Sequence, residues 1–172
     1  MAISFQAQLV ALYNAKNPTL PTPLAVADVD FSAVSVGAGE KNSELTITAK
    51  AESVNFENAK LLTYTRLALA LGAIAVEDEE ENWDTAPEVL AKFNAAVQAS
   101  NVKFADDEFV VGEITIDRQP NADDAEKTDI TVTVNAGHLK FLPGVAVVWT
   151  ISQPIQKTDL AGTDGDLDGF TA

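Results

Sequence analysis

The 172-residue sequence contains no cysteine. Disulfide staples, thiolate metal sites and a cysteine nucleophile are therefore excluded. It contains one histidine, His138, so a Ser-His-Asp arrangement has a single position on which to rest, and nothing in the sequence ties a nucleophile to it. No GxGxxG, GxxxxGK[ST] or HExxH run occurs, which removes the Gly-rich phosphate cradles and the helical zinc site. Basic residues are scarce: 11 Lys and Arg stand against 26 Asp and Glu, a net charge of −15. A surface of that sign repels phosphate backbones, and no nucleic-acid partner is expected. The longest apolar run, residues 67–76 (LALALGAIAV), is about half of what a membrane-crossing helix needs. The opening MAISFQAQLV lacks the basic and apolar regions of a secretory signal. No membrane partner is expected either.

What the sequence does contain is a core's worth of apolar residues, 47%, and an internal echo. Residues 45–56 (LTITAKAESVNF) return 85 positions later as residues 130–141 (ITVTVNAGHLKF), with Thr46 on Thr131, Thr48 on Thr133, Ala51 on Ala136 and Phe56 on Phe141. The match runs on into residues 61–66 and 146–151, where Tyr64 falls on Trp149. Upstream, at an offset of 80, residues 8–17 fall on 88–97, with Tyr13 on Phe93 and Asn14 on Asn94, and residues 24–36 fall on 104–116. The change of offset implies five inserted residues, expected in the polar loop 117–129 (DRQPNADDAEKTD). Self-similarity of this kind predicts an α+β fold of two pseudo-symmetric repeats packed as one unit, each a helix followed by about three mostly antiparallel strands. The expected division is 1–76 for the first repeat, 77–82 for an acidic linker, 83–155 for the second repeat and 156–172 for a flexible acidic tail.

Local pattern fills in the elements. Ser4 is a helix cap, followed by Phe5, Leu9, Leu12 and Tyr13 on one stripe, and Asn17-Pro18 ends the helix. Residues 29–36 read as one strand, 45–51 as a half-buried strand with Thr46, Thr48 and Lys50 outward, and 60–67 as its neighbour. Residues 67–76 either extend that strand or form a short helix. Asp84 takes the cap position equivalent to Ser4, Pro87 sits in the first turn, and Val89, Phe93 and Val97 form the second helix's stripe. Residues 109–116, 128–136 and 145–151 are the remaining strands. The last, VAVVWTI, is apolar on both faces except at Thr150, which places it centrally or under a partner chain, in the more deeply buried of the two halves.

Candidates for chemistry are few. His138 reads as a turn residue. Asp106, Asp107 and Glu108 read as a turn cluster rather than as paired carboxylates for acid–base work on sugars. Asp164 and Asp166 open a DGDLDG run resembling the start of a calcium loop, but the sequence ends at Ala172, before the position of the bidentate acid. No metal, cofactor or catalytic residue is therefore assigned. Trp83 and Trp149 are candidate stacking platforms if exposed on a sheet face. Tyr64, aligned with Trp149, and Phe170, in the closing LDGF, complete the candidates for partner contact.

The order of these segments carries a resemblance. A helix with LVALYNAKN is followed by GEKNSELTITA, YTRLALA, a second helix with VLAKFNA, then ITVTV, HLKFLPG, VVWT and LDGF. This resembles a family of small virion structural proteins of large (jumbo) tailed bacteriophages, although Thr65 and Ala68 stand where the family pattern has Asn and Asp. The resemblance spans most of the chain and rests on fold motifs. It implies a non-enzymatic structural subunit of a capsid (decoration) or of a tail or baseplate, located in the virion and contacting copies of itself or other virion proteins. The lack of cysteine suits assembly in a reducing cytoplasm. The alternative is a stand-alone ligand- or carbohydrate-binding module built on the tryptophans.

Overall fold

Ser4 accepts a hydrogen bond at its Oγ from the Ala7 amide (3.2 Å) and starts helix α1, Phe5–Lys16. The cap satisfies one of the donors a helix leaves unpaired at its start. Phe5, Leu9 and Val10 are buried, and Asn17 closes the last turn through its side-chain amide to the Tyr13 carbonyl (2.8 Å). This is a computed structural model, and it describes residues 3–154.

A short 3-10 turn, Val26–Asp28, leads into strand β1, Val29–Phe31. The single strand expected over 29–36 is two: β1 and β2, Ser35–Val36, both antiparallel to β3, Ser43–Ala49. The break has a local cause. Ser32 Oγ takes the hydrogen bond from the Thr46 amide (2.9 Å) that a backbone carbonyl would accept, and the register slips by one residue before Ser35 meets Glu44. Strand β4, Ala59–Tyr64, pairs antiparallel with the other side of β3. Leu45 and Ile47 point inward from β3 toward Leu9 and Val10.

Residues 67–76 are neither an extension of β4 nor a helix. Leu67 donates to the Lys140 carbonyl (2.9 Å) and accepts from the Leu142 amide (2.8 Å), and Leu71 donates to the Ala146 carbonyl (2.6 Å). Backbone groups committed to the second half cannot make helical bonds. The chain then turns at Gly72 (φ 83°) into strand β5, Gly72–Glu77, which pairs parallel with Gly144–Ser152 near the far end of the chain. The boundary expected at residue 76 thus falls inside a strand of the second sheet.

The acidic stretch 77–82 is a tied connection. Asp78 accepts from Asn82 Nδ2 (2.8 Å), Trp83 Nε1 (2.9 Å) and Lys92 Nζ (3.3 Å), and these hydrogen bonds, Asn82's first, hold its carboxyl down at about 2. Helix α2, Ala86–Ser100, is capped by Thr85 rather than by Asp84. Thr85 and Glu88 form a reciprocal capping box, Thr85 N to Glu88 Oε2 at 2.9 Å and Glu88 N to Thr85 Oγ1 at 3.4 Å. Asp84 is thereby left to bind Arg118 (2.9 Å). The expected buried stripe, Val89, Phe93 and Val97, is observed.

Strand β6 runs over Ile114–Pro120 rather than from residue 109, preceded by 3-10 turns at Val102–Phe104 and Val111–Glu113. With β7, Lys127–Val134, and β8, Gly144–Ser152, it completes a second sheet in the order β5-β8-β7-β6. The doubly apolar strand is central, as its composition predicts. The fold is α+β, with two helices and two sheets of about four strands each.

One numerical relation bears on the two halves. Val29 faces Ala49, and Ile114 faces Val134, each 85 positions later. Because the same displacement holds on both sides of residues 117–129, that loop carries no extra residues. A five-residue difference falls earlier: Asn14 clamps Leu24 ten residues on, whereas Asn94 clamps Phe109 fifteen residues on.

Candidate functional site

The two sheets meet at a knot of buried polar side chains. Arg66, just past β4, is 6% exposed. Its Nε donates to Ser43 Oγ (2.7 Å), and its Nη1 donates to the Ala136 (3.0 Å) and His138 (3.2 Å) carbonyls of the turn after β7. Asn42 holds the Arg66 backbone from both sides (2.7 and 2.9 Å). Among the described residues no carboxylate lies within salt-bridge distance of Arg66. Carbonyl dipoles and a hydroxyl therefore carry the solvation of this cation.

Beside it lies a second junction. Asp107, 1% exposed, receives Lys140 Nζ on both oxygens (2.7 Å each) and Gln8 Nε2 from α1 (2.9 Å). Lys140 Nζ also donates to Gln8 Oε1 (3.0 Å). Three segments that are distant in sequence are locked by one buried ion pair and one amide.

His138 sits between these junctions, ringed by Phe5, Phe109 and Phe141 at centroid distances of 4.4–5.3 Å. Its Nδ1 accepts from the Lys140 (3.1 Å) and Phe141 (3.0 Å) amides, and its buried Nε2 has no hydrogen-bond partner among the described residues. Nδ1 accepting two amides fixes the neutral tautomer with hydrogen on Nε2. Burial, followed by the nearby Arg66 and Lys140 cations, lowers its pKa to about 4. The turn residue of the sequence reading is thus a buried structural pin. No nucleophile is hydrogen-bonded to it. No cluster of three or more His, Asp or Glu suited to a metal occurs among the described residues.

The open face of this region is a groove of about 430 Å³ between α1 and β4. Leu9, Leu12, Tyr13 and Lys16 form one wall, and the five consecutive residues 60–64 form the other. Consecutive residues of a strand point to opposite faces, so it is the edge of β4 that opens into the groove. Among the described residues that edge is unpaired, because β4 bonds only to β3. A hollow of about 170 Å³ continues the groove past Tyr64 to Phe5, Leu67, Leu139 and Lys140. Leu12, Leu61 and Leu67 are 65%, 53% and 42% exposed. The lining of groove and hollow includes Lys16, Lys60 and Lys140 and no Asp or Glu.

Tyr64, a predicted contact residue, lies where groove and hollow join. Its hydroxyl oxygen is buried without a hydrogen-bond partner among the described residues, and desolvation pushes the phenol above its ordinary value, partly opposed by Arg66. The two tryptophans are not platforms. Trp83 and Trp149 are 4% and 3% exposed and pack on each other with centroids 5.2 Å apart. Lys92 sits over the Trp83 ring at 4.4 Å. Trp149 faces inward because β8 is covered by α2 and the 3-10 segment on that side, which alternation in β8 alone does not reveal. Asp164, Asp166 and Phe170 lie outside the described residues, as does the expected acidic tail.

Sequence reasoning passed over Arg66, Lys140 and Leu12. The signal was faint: Arg66 is one of only two arginines and interrupts an otherwise apolar YTRLALA. Leu12 shares the apolar stripe of Phe5 and Leu9, yet it is 65% exposed and lines the groove.

No curated protein and no solved structure matches the chain. Among the described residues no helix is long and apolar enough to cross a membrane. A family model does match, over residues 3–164, and on that extent the chain belongs to DUF7941, a family of unknown function.

Proposed function

We propose that the chain is a non-enzymatic structural subunit of a tailed-phage virion, a capsid-associated or tail and baseplate component that works through protein–protein contacts. The observation that carries this reading is the distribution of unpaired strand edge and apolar surface. The β4 edge opens into an apolar groove, and the β5 edge presents Ala73, Ile74 and Ala75 to solvent. The β5 edge carries neither the proline nor the inward-pointing charge by which isolated proteins blunt such edges, and the β4 edge has only Lys60, set opposite the buried Ile47. Surfaces of this kind are completed by another protein chain. The resemblance of the sequence motifs to jumbo-phage virion proteins supplies the setting.

We further read the subunit as two pseudo-symmetric repeats. Each half has a helix whose Asn side chain clamps the backbone amide and carbonyl of a later residue: Asn14 on Leu24, Asn94 on Phe109. Each then has a 3-10 turn closed by an acid, Asp28 on the Ala25 amide and Glu113 on the Val110 amide. The strand after the turn meets its partner in the same register in both. Like clamps, turns and registers, offset by 80 residues at the asparagines and by 85 from the clamped residues through the facing strands, favour duplication over chance. By pairing, Leu45 faces Leu62 and Ile130 faces Trp149, so Leu62, not Tyr64, is the counterpart of Trp149.

Quantitative mass spectrometry of purified particles tests the assignment. Many copies per particle are expected. Absence of the chain from particles that are otherwise complete would remove the virion role.

A further inference from the structure

Two faces of this molecule are unfinished, and one of them has the chemistry to name its occupant. In a chain of net charge −15, a surface groove with no acidic lining residue among the described residues stands apart. Of the lysines with no salt bridge among the described residues, Lys16 and Lys60 both line it. Its walls are otherwise leucine and tyrosine, and its rim is the unpaired edge of β4. The complementary ligand is an extended, acidic segment with spaced apolar side chains, able to lay its backbone against a strand edge.

The chain itself contains one segment of that composition. Residues 155–172 (IQKTDLAGTDGDLDGFTA) follow β8 and hold four aspartates against one lysine, interspersed with Leu160, Leu167 and Phe170. We infer that residues 155–172 of a second copy dock along the α1–β4 groove, apolar side chains against Leu9, Leu12 and Leu61 and aspartates toward Lys16 and Lys60.

Topology favours a second copy over the segment's own body. The hollow that ends the groove is built by Leu139 and Lys140, beside the start of β8 at Gly144. The nine residues of β8 then run away from it for roughly 27 Å, and the segment leaves at the opposite end, after Pro154. Docking on its own body would spend about half of its 18 residues on the return. A neighbour placed head to tail receives the full length. Such a contact joins two different surfaces, so it propagates from copy to copy and closes into a ring or extends as a row. The inference rests on the structural-subunit reading for its setting, and it adds the partner, the site and the polarity of the contact.

Mixing full-length variants tests it. Leu12→Asp with Leu61→Asp breaks the groove and leaves the segment intact. Leu167→Asp with Phe170→Asp does the reverse. Leu12 and Leu61 lie outside the buried core, and circular dichroism with thermal melting checks that each variant folds. In sedimentation velocity the unaltered chain is expected to associate in a concentration-dependent manner. Each variant alone is expected to associate roughly ten- to hundred-fold more weakly. Their mixture is expected to form a 1:1 dimer that grows no further, because it offers one intact groove and one intact segment.

A charge-swapped pair works independently of apolar packing. Lys16→Glu with Lys60→Glu should lose association and regain it with a partner carrying Asp164→Lys and Asp166→Lys. An unaltered chain that stays monomeric at every concentration, or association that survives both double variants, overturns the inference. A monomeric chain found in many copies per particle would overturn it while leaving the virion role standing. A self-associating chain missing from particles would do the opposite.

Discussion

The two sheets of this protein, each of about four strands, are finished differently. The first buries six residues in its own core, none of them aromatic: Leu9, Val10, Leu24, Val29, Leu45 and Ile47. The second gathers 17, including Phe93, Phe104, Phe109, Phe141, Trp83 and Trp149. Phe5, the first residue of the first helix, packs into the second core. The first half is thus a light cover tied to a heavy body, and the tie is polar: Arg66 on the carbonyls of 136 and 138, Lys140 on Asp107 and Gln8. Aromatic side chains bring a large buried area and specific ring geometry. Around the first core the aromatics Tyr13, Phe31, Phe56 and Tyr64 are only partly buried, and Leu12 and Leu61 stand in the open.

The sharpest way to break the comparison is to truncate corresponding helix residues. Phe93→Ala removes a fully buried ring packed on Phe109 and Trp149, and a loss of about 3–5 kcal/mol is expected in urea unfolding. Tyr13→Ala, on a half-buried side chain at the groove, should cost about 1 kcal/mol. Equal losses would show that the first core carries as much as the second.

The polar tie comes next. Lys140→Met leaves Asp107 buried without its cation, and a loss of about 3 kcal/mol is expected. Lys50→Met, whose partner Asp30 is 76% exposed at 3.9 Å, should change the unfolding midpoint by about 0.5 kcal/mol or less.

A pH titration of stability sharpens the same contrast. His138 has its pKa lowered from 6.5 to about 4 in the folded state, so the unfolded chain takes up a proton first as pH falls. Stability linked to His138 is complete above pH 6.5 and is lost progressively down to pH about 4, a total of about 3 kcal/mol. His138→Gln should flatten the profile across that window, whatever it does to stability at pH 7. An unchanged slope would place the titration elsewhere. The depressed Asp78 acts at lower pH, its contribution being lost as pH falls from 3.8 toward 2.

A matched pair of substitutions sets the two asparagine clamps against each other. Asn14→Ala and Asn94→Ala each remove one donor and one acceptor bond to backbone, at 2.8–3.0 Å. Each should cost about 1–3 kcal/mol. Markedly unequal values would weaken the case for equivalent clamps.

Much of the second half was legible, because its signals are local. Pro87 and the Val89, Phe93, Val97 stripe mark α2, the alternation of ITVTV marks β7, and the all-apolar VAVVWTI marks a central strand. What was hidden depended on partners far along the chain. Residues 72–77 are a strand only because β8 offers an edge, and Thr85 outcompetes Asp84 as cap only because Glu88 reaches back. Trp83 and Trp149 hide each other. The groove was invisible for the same reason: Leu12 has the spacing of a core residue, and its exposure follows from where β4 stops.

The parallel pairing of β5 with β8 also sets an order of events during synthesis. Gly72 faces Val147, so Gly72–Glu77 leaves the ribosome well before its partner exists. The first sheet, complete by Tyr64, can close while the rest of the chain is still being made, but the apolar GAIAVE must wait for some 70 further residues. During that interval the nascent chain carries an unsatisfied strand that another nascent copy could seize. Amide protection at Ala73–Val76 should therefore appear only in stalled chains that extend past β8.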